Sequence, residues 1–148
     1  MNVRSYDKMK KAIKLIITII SIIAMYFAFD YFSVTSPRRV KFHQLDEFRQ
    51  EVLENYNVSE IDMYFSRPSL FIEINSEEKL TNEIRNEIIE KLKPIINKTN
   101  MDIISEKYWG KDTSLFYVRI YFNEIKENTK IKYLEIELSQ SKDYKDWH

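Results

Sequence analysis

The hydrophobic positions of this sequence form one long apolar run, followed by short periodic patterns. Over Leu15–Phe29 the chain carries no charged residue. A helix of that length covers about 22 Å, less than the roughly 30 Å hydrocarbon core of a bilayer. The flanking residues lengthen the apolar segment. Lys14 can extend its side chain so that the ammonium reaches the lipid headgroups. Tyr31 and Phe32 are of the type found in the aromatic belt at the membrane interface. The pattern therefore predicts a transmembrane helix over residues 12–34 that is long enough to cross with tilt.

The membrane contact of this helix is expected to come from its large apolar side chains. These are Leu15, Ile16, Ile17, Ile19, Ile20, Ile22, Ile23, Met25, Phe27 and Phe29. Two other interpretations stay open. A secretory signal would be cleaved after small residues, but the best site, after Ser36, is followed by Pro37, which disfavours cleavage. A buried core helix would keep a polar stripe, whereas this segment is apolar all round. We expect a retained signal-anchor.

The charges that flank the apolar run indicate its orientation. Residues 1–14 hold five Lys or Arg and one Asp, a net charge of +4, whereas only Arg38, Arg39 and Lys41 follow the run closely. The positive-inside rule then places the N-terminus in the cytoplasm and the body outside a plasma membrane crossed once. Heavy use of Ile, Lys, Asn and Glu indicates an AT-rich, bacterial genome.

The chain is expected to divide into five segments. They are a cytoplasmic basic segment (1–11), a signal-anchor (12–34), a linker (35–39), an extracytoplasmic α+β domain (40–140) and a polar tail (141–148) that frays.

Two amphipathic helices are predicted in the body. The first covers about residues 44–56, where apolar side chains recur every three or four positions. The second is expected to begin after Ser76 as its N-cap, with an apolar stripe from Leu80 through Leu92 to Ile95 and Ile96. Pro94 should end or kink this helix near its last turn.

Alternating apolar and polar positions predict the strands. Residues 60–75 suggest a β-hairpin with its turn at Ser66–Ser69, and residues 114–122 and 130–138 suggest two more strands joined by a loop. Weaker patterns suggest strands at 40–42 and 101–107.

The resulting order is α-β-β-α-(β)-β-β, an α+β fold with an antiparallel sheet and two helices on one face. This order is similar to that of small membrane-tethered assembly modules of bacterial envelope machines, a likeness of element order alone.

Composition and charge narrow the function classes. The chain has no cysteine, which excludes disulfides, thiolate metal sites and Cys nucleophiles. Residues 31–148 hold 18 basic and 21 acidic side chains, a net charge of −3, and nucleic-acid binding needs a basic face. We therefore expect no nucleic-acid partner.

Candidate catalytic and metal-binding groups are few. His43 and Glu47 would share a helix face, and Asp143, Asp146 and His148 form a crude set at the C-terminus. Acid/base pairs such as Glu135 with Glu137 alternate away from the core side, as expected for solvated carboxylates. We expect no enzyme activity, no cofactor and no metal site.

Aromatic side chains are the compositional anomaly, with ten Tyr, nine Phe and two Trp. The candidate interaction surface consists of Tyr117, Arg119, Tyr121, Tyr133 and Trp109, because Tyr and Arg favour protein interfaces. The alternative is an ordinary amphipathic sheet face with cross-strand aromatic pairs.

The expected function is that of a non-catalytic, membrane-anchored interaction subunit of a cell-envelope assembly. Its expected partners are the bilayer, through residues 12–34, and another envelope protein or a second copy of the chain. The alternative is a membrane-tethered sensory module that binds a peptide or a glycan at the same surface.

Overall fold

The computed structural model of the protein describes the backbone of residues 3–147 and the side chains of residues 13–29, 31–32 and 36–147. The chain forms two units, Met1–Ser36 and Pro37–His148. The first unit contains helix α1, Val3–Thr35. Its large apolar side chains between Ile13 and Phe32 are 48–76% exposed.

A membrane-spanning helix was predicted for residues 12–34. Among the residues that the structure describes, no helix combines the length and the apolar character needed to cross a bilayer. The transmembrane helix is therefore not confirmed and stays a prediction.

The second unit contains a five-stranded sheet and three helices. The strands are β1 (Arg38–Arg39), β2 (Glu60–Ser66), β3 (Ser69–Ser76), β4 (Tyr117–Lys126) and β5 (Thr129–Ser139). The helices are α2 (His43–Asn55), α3 (Asn82–Leu92) and α4 (Lys98–Tyr108), with a 3₁₀ turn at Gln140–Lys142. The strands lie side by side in chain order. The predicted α+β class is confirmed.

The prediction of an antiparallel sheet is wrong, because β3 and β4 pair in parallel within an otherwise antiparallel sheet. Two helices, α3 and α4, fill the connection between these strands. A chain that crosses back over the sheet in this way brings the next strand in parallel to the last.

The predicted strand at residues 101–107 is wrong, because this segment belongs to α4. Asn97 caps that helix, accepting a hydrogen bond from the Asn100 N–H at 3.0 Å. Met101 and Ile104 are buried three positions apart, which is helical spacing. The body therefore has three helices where two were predicted.

Two further boundaries differ from prediction. The first strand lies at Arg38–Arg39, paired with β2, and not at 40–42. Helix α3 begins at Asn82 with Thr81 as its N-cap, not after Ser76. The hydroxyl of Ser76 is instead buried and donates to the Glu78 carbonyl at 2.6 Å, six residues before α3 begins.

The two predicted hairpins are present. The first joins β2 and β3 across Arg67 and Pro68. The second is longer than predicted, because β4 and β5 pair as far as Lys126 and Thr129. Its turn is only Glu127–Asn128, both with positive φ (50° and 62°), which matches the twist of the two strands.

One face of the sheet forms the core with the three helices. The buried sheet positions are Ile61, Met63, Phe65, Leu70, Ile72, Ile74, Val118, Ile120, Phe122, Ile136 and Leu138. The buried helix positions are Leu45, Phe48, Val52, Ile88, Leu92, Met101 and Ile104. Alternate strand residues point to the opposite face, which is half-buried or exposed at its centre and is called the open face below.

The C-terminal segment also contributes to the core. Tyr144 is 1% exposed, and its hydroxyl donates to the Leu115 carbonyl. The prediction that the polar tail 141–148 frays is therefore wrong at this position. Consecutive positive φ angles at Asp143 and Tyr144 (50° and 57°) turn the chain inward there.

Candidate interaction surface

Strand register aligns one row of side chains across all five strands on the open face. From β1 to β5 this central row is Arg39, Tyr64, Phe71, Arg119 and Glu137. The parallel pairing of β3 with β4 places Phe71 directly beside Arg119. The row therefore depends on the crossover connection that the sequence pattern did not predict.

The rings of the open face contact one another. Tyr64 and Phe71 stack with centroids 4.9 Å apart and planes 8° apart. Phe71 also meets Tyr121 of β4 at 6.1 Å in a tilted arrangement. Such pairs contribute about 0.5–1.5 kcal/mol beyond simple burial. All three rings remain half-buried, so each keeps an accessible surface.

Arg119 connects the aromatic rings to an ion pair. Its guanidinium lies 5.3 Å from the centre of the Tyr117 ring and 5.8 Å from that of Phe71. Its Nε donates to Glu137 Oε2 at 2.8 Å, and this hydrogen bond raises the pKa of Arg119. The planar guanidinium is thus held in place on an apolar platform.

A second row beside the central one is mostly ionic. Across β2 to β5 it consists of Asp62, Glu73, Tyr121 and Glu135. Lys130 of β5 reaches over it, with Nζ 2.9 Å from Asp62 and 3.2 Å from Glu73. Desolvation opposes the charge on Lys130, but its hydrogen bonds to the two carboxylates raise its pKa.

Two more contacts fix the tyrosines of the open face. The Tyr64 hydroxyl donates to Glu73 Oε1 at 2.8 Å, and burial together with that carboxylate raises the pKa of Tyr64. The Lys132 ammonium lies 4.7 Å from the centre of the Tyr121 ring. Burial, and then the charge of Glu135, raises the pKa of Tyr121, so both phenols stay neutral at physiological pH.

Three of the five predicted surface residues come together, namely Tyr117, Arg119 and Tyr121. Tyr133 does not join them, because a β-bulge after Phe122 shifts the register of β5.

Tyr133 instead contacts the segment that leads into α3. Its hydroxyl accepts from the Leu80 N–H at 3.1 Å, and its ring lies 5.6 Å from the Arg85 guanidinium carbon.

Trp109 belongs to a separate cluster at the end of α4. Its ring meets Phe116 edge-on at 6.1 Å, and the Arg67 guanidinium lies 5.8 Å from the ring centre. Arg67 also donates to the Trp109 carbonyl at 3.3 Å. Trp109 is thus held beside the β2–β3 turn.

Tyr64 and Phe71 were missed as surface residues. Their alternation with buried neighbours does place both on the face away from the core. Their position beside Arg119 and Tyr121 follows only from the β3–β4 pairing, which no local pattern shows.

Surface depressions lie mostly away from the central row. One of about 210 Å³ lies at its β1–β2 end and is lined by Arg39, Asp62, Met63 and Tyr64. A larger one of about 370 Å³ lies where β4 begins and β5 ends, and Phe116 and Tyr117 are among its lining residues. Small-molecule sites are usually enclosed clefts of about 300–1,000 Å³. Neither depression is lined by Phe71 or Arg119 at the centre of the open face.

The candidate acid/base and metal groups are solvated. His43 Nε2 lies 3.3 Å from Glu47 Oε1, and both side chains are exposed. Within the described part of the chain, no three His, Cys, Asp or Glu side chains converge in a way that could hold a metal ion. The predicted set at Asp143 and Asp146 includes His148, which lies outside the described residues.

In comparisons with known proteins, the chain matches no family model, no curated protein and no solved structure.

Proposed function

We propose that the chain is a membrane-anchored, non-catalytic interaction module whose open face binds another protein of a bacterial cell envelope. The observation that carries this proposal is the stacked and half-buried group of Tyr64, Phe71 and Tyr121 beside Arg119. Tyr and Arg are enriched among the residues that dominate binding energy at protein interfaces.

The side chains of this surface are held in place before any partner arrives. Arg119 is fixed by Glu137, and Tyr64 by Glu73 and by stacking on Phe71. Ordering a flexible side chain on binding costs about 0.5–1.5 kcal/mol, so a surface with fixed side chains loses less on association.

The anchor and its orientation are the second part of the proposal. They are supported by the uncharged Leu15–Phe29 run, the basic residues before it and the exposed apolar side chains along α1. In this arrangement α1 crosses the plasma membrane once, with the N-terminus in the cytoplasm and Pro37–His148 outside.

The alternative is a membrane-tethered sensory module that binds a peptide or a glycan at the same rings. Stacked aromatic rings also suit sugar faces. Saturable thermal stabilisation by a sugar or peptide, with no protein partner captured, would favour this alternative.

Co-purification of a tagged full-length chain with its partner tests the proposal. Replacing Arg119 or Tyr121 by alanine should reduce the captured partner at least about fivefold, because truncation at the centre of an interface costs more than about 1 kcal/mol. Each variant should keep its thermal midpoint within a few degrees, since both side chains are only half-buried.

Arg49→Ala on α2 is the matched control, because it removes a half-buried arginine away from the open face. Capture should be unchanged in this variant. Equal capture by Arg119→Ala, Tyr121→Ala and the wild type would reject the open face as the binding surface.

A further inference from the structure

Strand β5 is the long free edge of the sheet. It runs from Thr129 to Ser139, whereas the other edge strand, β1, has only two residues. Among the described residues, the backbone of β5 between Lys130 and Leu138 bonds only to β4. An edge of this length presents unpaired N–H and C=O groups and can accept another strand.

The hydrogen-bond pattern identifies which backbone groups point outward in the C-terminal half of β5. The Gln140 N–H donates to the Phe116 carbonyl at 3.0 Å, so every second residue from Gln140 back along β5 bonds to β4. The residues between them, Glu135 and Glu137, therefore point their backbone groups outward. Ser139 fits this alternation, because its carbonyl accepts from the Tyr144 N–H at 3.0 Å.

The β4–β5 turn identifies the outward groups in the other half of the strand. A two-residue turn requires its flanking residues, Lys126 and Thr129, to bond to each other. By alternation, Lys130 and Lys132 then point their backbone groups outward. The bulge between the two halves lets Lys130, Lys132, Glu135 and Glu137 all place their side chains on the open face.

This edge is complementary to itself. If two copies of β5 pair antiparallel about a twofold axis between Tyr133 and Leu134, Lys132 of one copy lies opposite Glu135 of the other. In the same register Lys130 lies opposite Glu137. Each of these pairs joins residues with outward backbone groups, side chains on the same face and opposite charges.

The register also covers an exposed apolar residue. Ile131 is 45% exposed, on the face opposite Lys130 and Lys132. In the paired strands it lies opposite Ile136 of the second copy. Pairing would thus remove the apolar surface of Ile131 from water on the side of the sheet that carries the helices. On the open face, the same pairing places lysines opposite glutamates.

We propose that the chain forms a symmetric dimer through antiparallel pairing of β5 with β5 of a second copy. The two sheets join into one of ten strands, with both open faces on the same side. The pairing is made by the backbone at the sheet edge and by charged side chains beside it, and it does not require a protein bound to the aromatic rings of the open face. It therefore stands or falls separately from the proposed function.

The test is sedimentation of the full chain in detergent, with wild type, Lys132→Glu, Glu135→Lys and an equimolar mixture of the two variants. Each variant alone places like charges opposite each other at two symmetric positions, which should weaken dimerisation roughly tenfold. In the mixture, every facing pair is again opposite in charge, so dimers should return. Each chain of the mixture still lacks its own Lys132–Glu135 ion pair, so recovery reports contact between chains.

Lys93→Glu and Glu90→Lys form the matched control, because this exposed ion pair on and beside α3 has the same i, i+3 spacing. Neither control variant should change the dimer fraction. Three results would overturn the proposal. The wild type could be monomeric, or the dimer fraction could be unchanged by the charge reversals in β5. The third result is a dimer fraction that falls in each single variant and does not rise again in the mixture.

Discussion

At the residue scale, Tyr144 shows how one side chain in a polar segment can join a core. It is surrounded in sequence by charged residues, yet its ring is buried and its hydroxyl donates to the Leu115 carbonyl. Burial, with a contribution from the charge of Asp102, raises the pKa of Tyr144 to about 12. The folded state therefore favours the neutral phenol.

Tyr144→Phe should lower the free energy of unfolding by about 1 kcal/mol at pH 7, because the Leu115 carbonyl loses its buried donor. In the wild type, the contribution of the raised pKa is fully present below pH 10. About 2 kcal/mol of it should be lost as the pH rises from 10 through about 12, since the unfolded phenol ionises first.

Urea unfolding between pH 7 and pH 11.5 measures both effects. Tyr64 and Lys130 also have raised pKa values, and they contribute equally in wild type and variant. The difference between the two curves therefore isolates Tyr144. Parallel curves across this range would contradict the assignment.

At the element scale, sequence periodicity predicted α2, both hairpins and the buried sides of β2, β3, β4 and the C-terminal half of β5. These patterns are local, with a period near 3.6 or 2. Helix α4 was mistaken for a strand because Met101–Lys107 is short and weakly periodic, although Asn97 marks its start. The β3–β4 pairing and the bulge after Phe122 are set by contacts far apart in sequence, so neither could be predicted locally.

The start of α3 gives a test at this scale. Thr81→Ala should lower the free energy of unfolding by about 1 kcal/mol, because Thr81 Oγ1 accepts from the Ile84 N–H at 3.4 Å. Thr81→Ser keeps the accepting oxygen and should stay within about 0.5 kcal/mol of wild type.

Asn97→Ala at the start of α4 is the parallel case, with its acceptor 3.0 Å from the Asn100 nitrogen, and should cost at least as much. Chemical unfolding followed by far-UV circular dichroism measures all three variants. A neutral Thr81→Ala would show that α3 does not begin where the structure places it.

At the scale of the whole molecule, the chain separates an apolar helix from a domain with its own core. The buried apolar side chains among the described residues run from Val40 to Tyr144, all within the second unit. The members of the candidate surface were partly predictable, because Tyr117, Arg119 and Tyr121 alternate along one strand. Their union with Tyr64 and Phe71 required the complete sheet.

Site-specific photo-crosslinking in the native cell tests the central claim most directly. A photoreactive phenylalanine analogue at Phe71, in the middle of the central row, should cross-link the chain to a different protein of the envelope. The same analogue at Tyr56, just after α2, should not capture that protein. No cross-link at Phe71, or the same captured protein at both positions, would contradict binding through the open face.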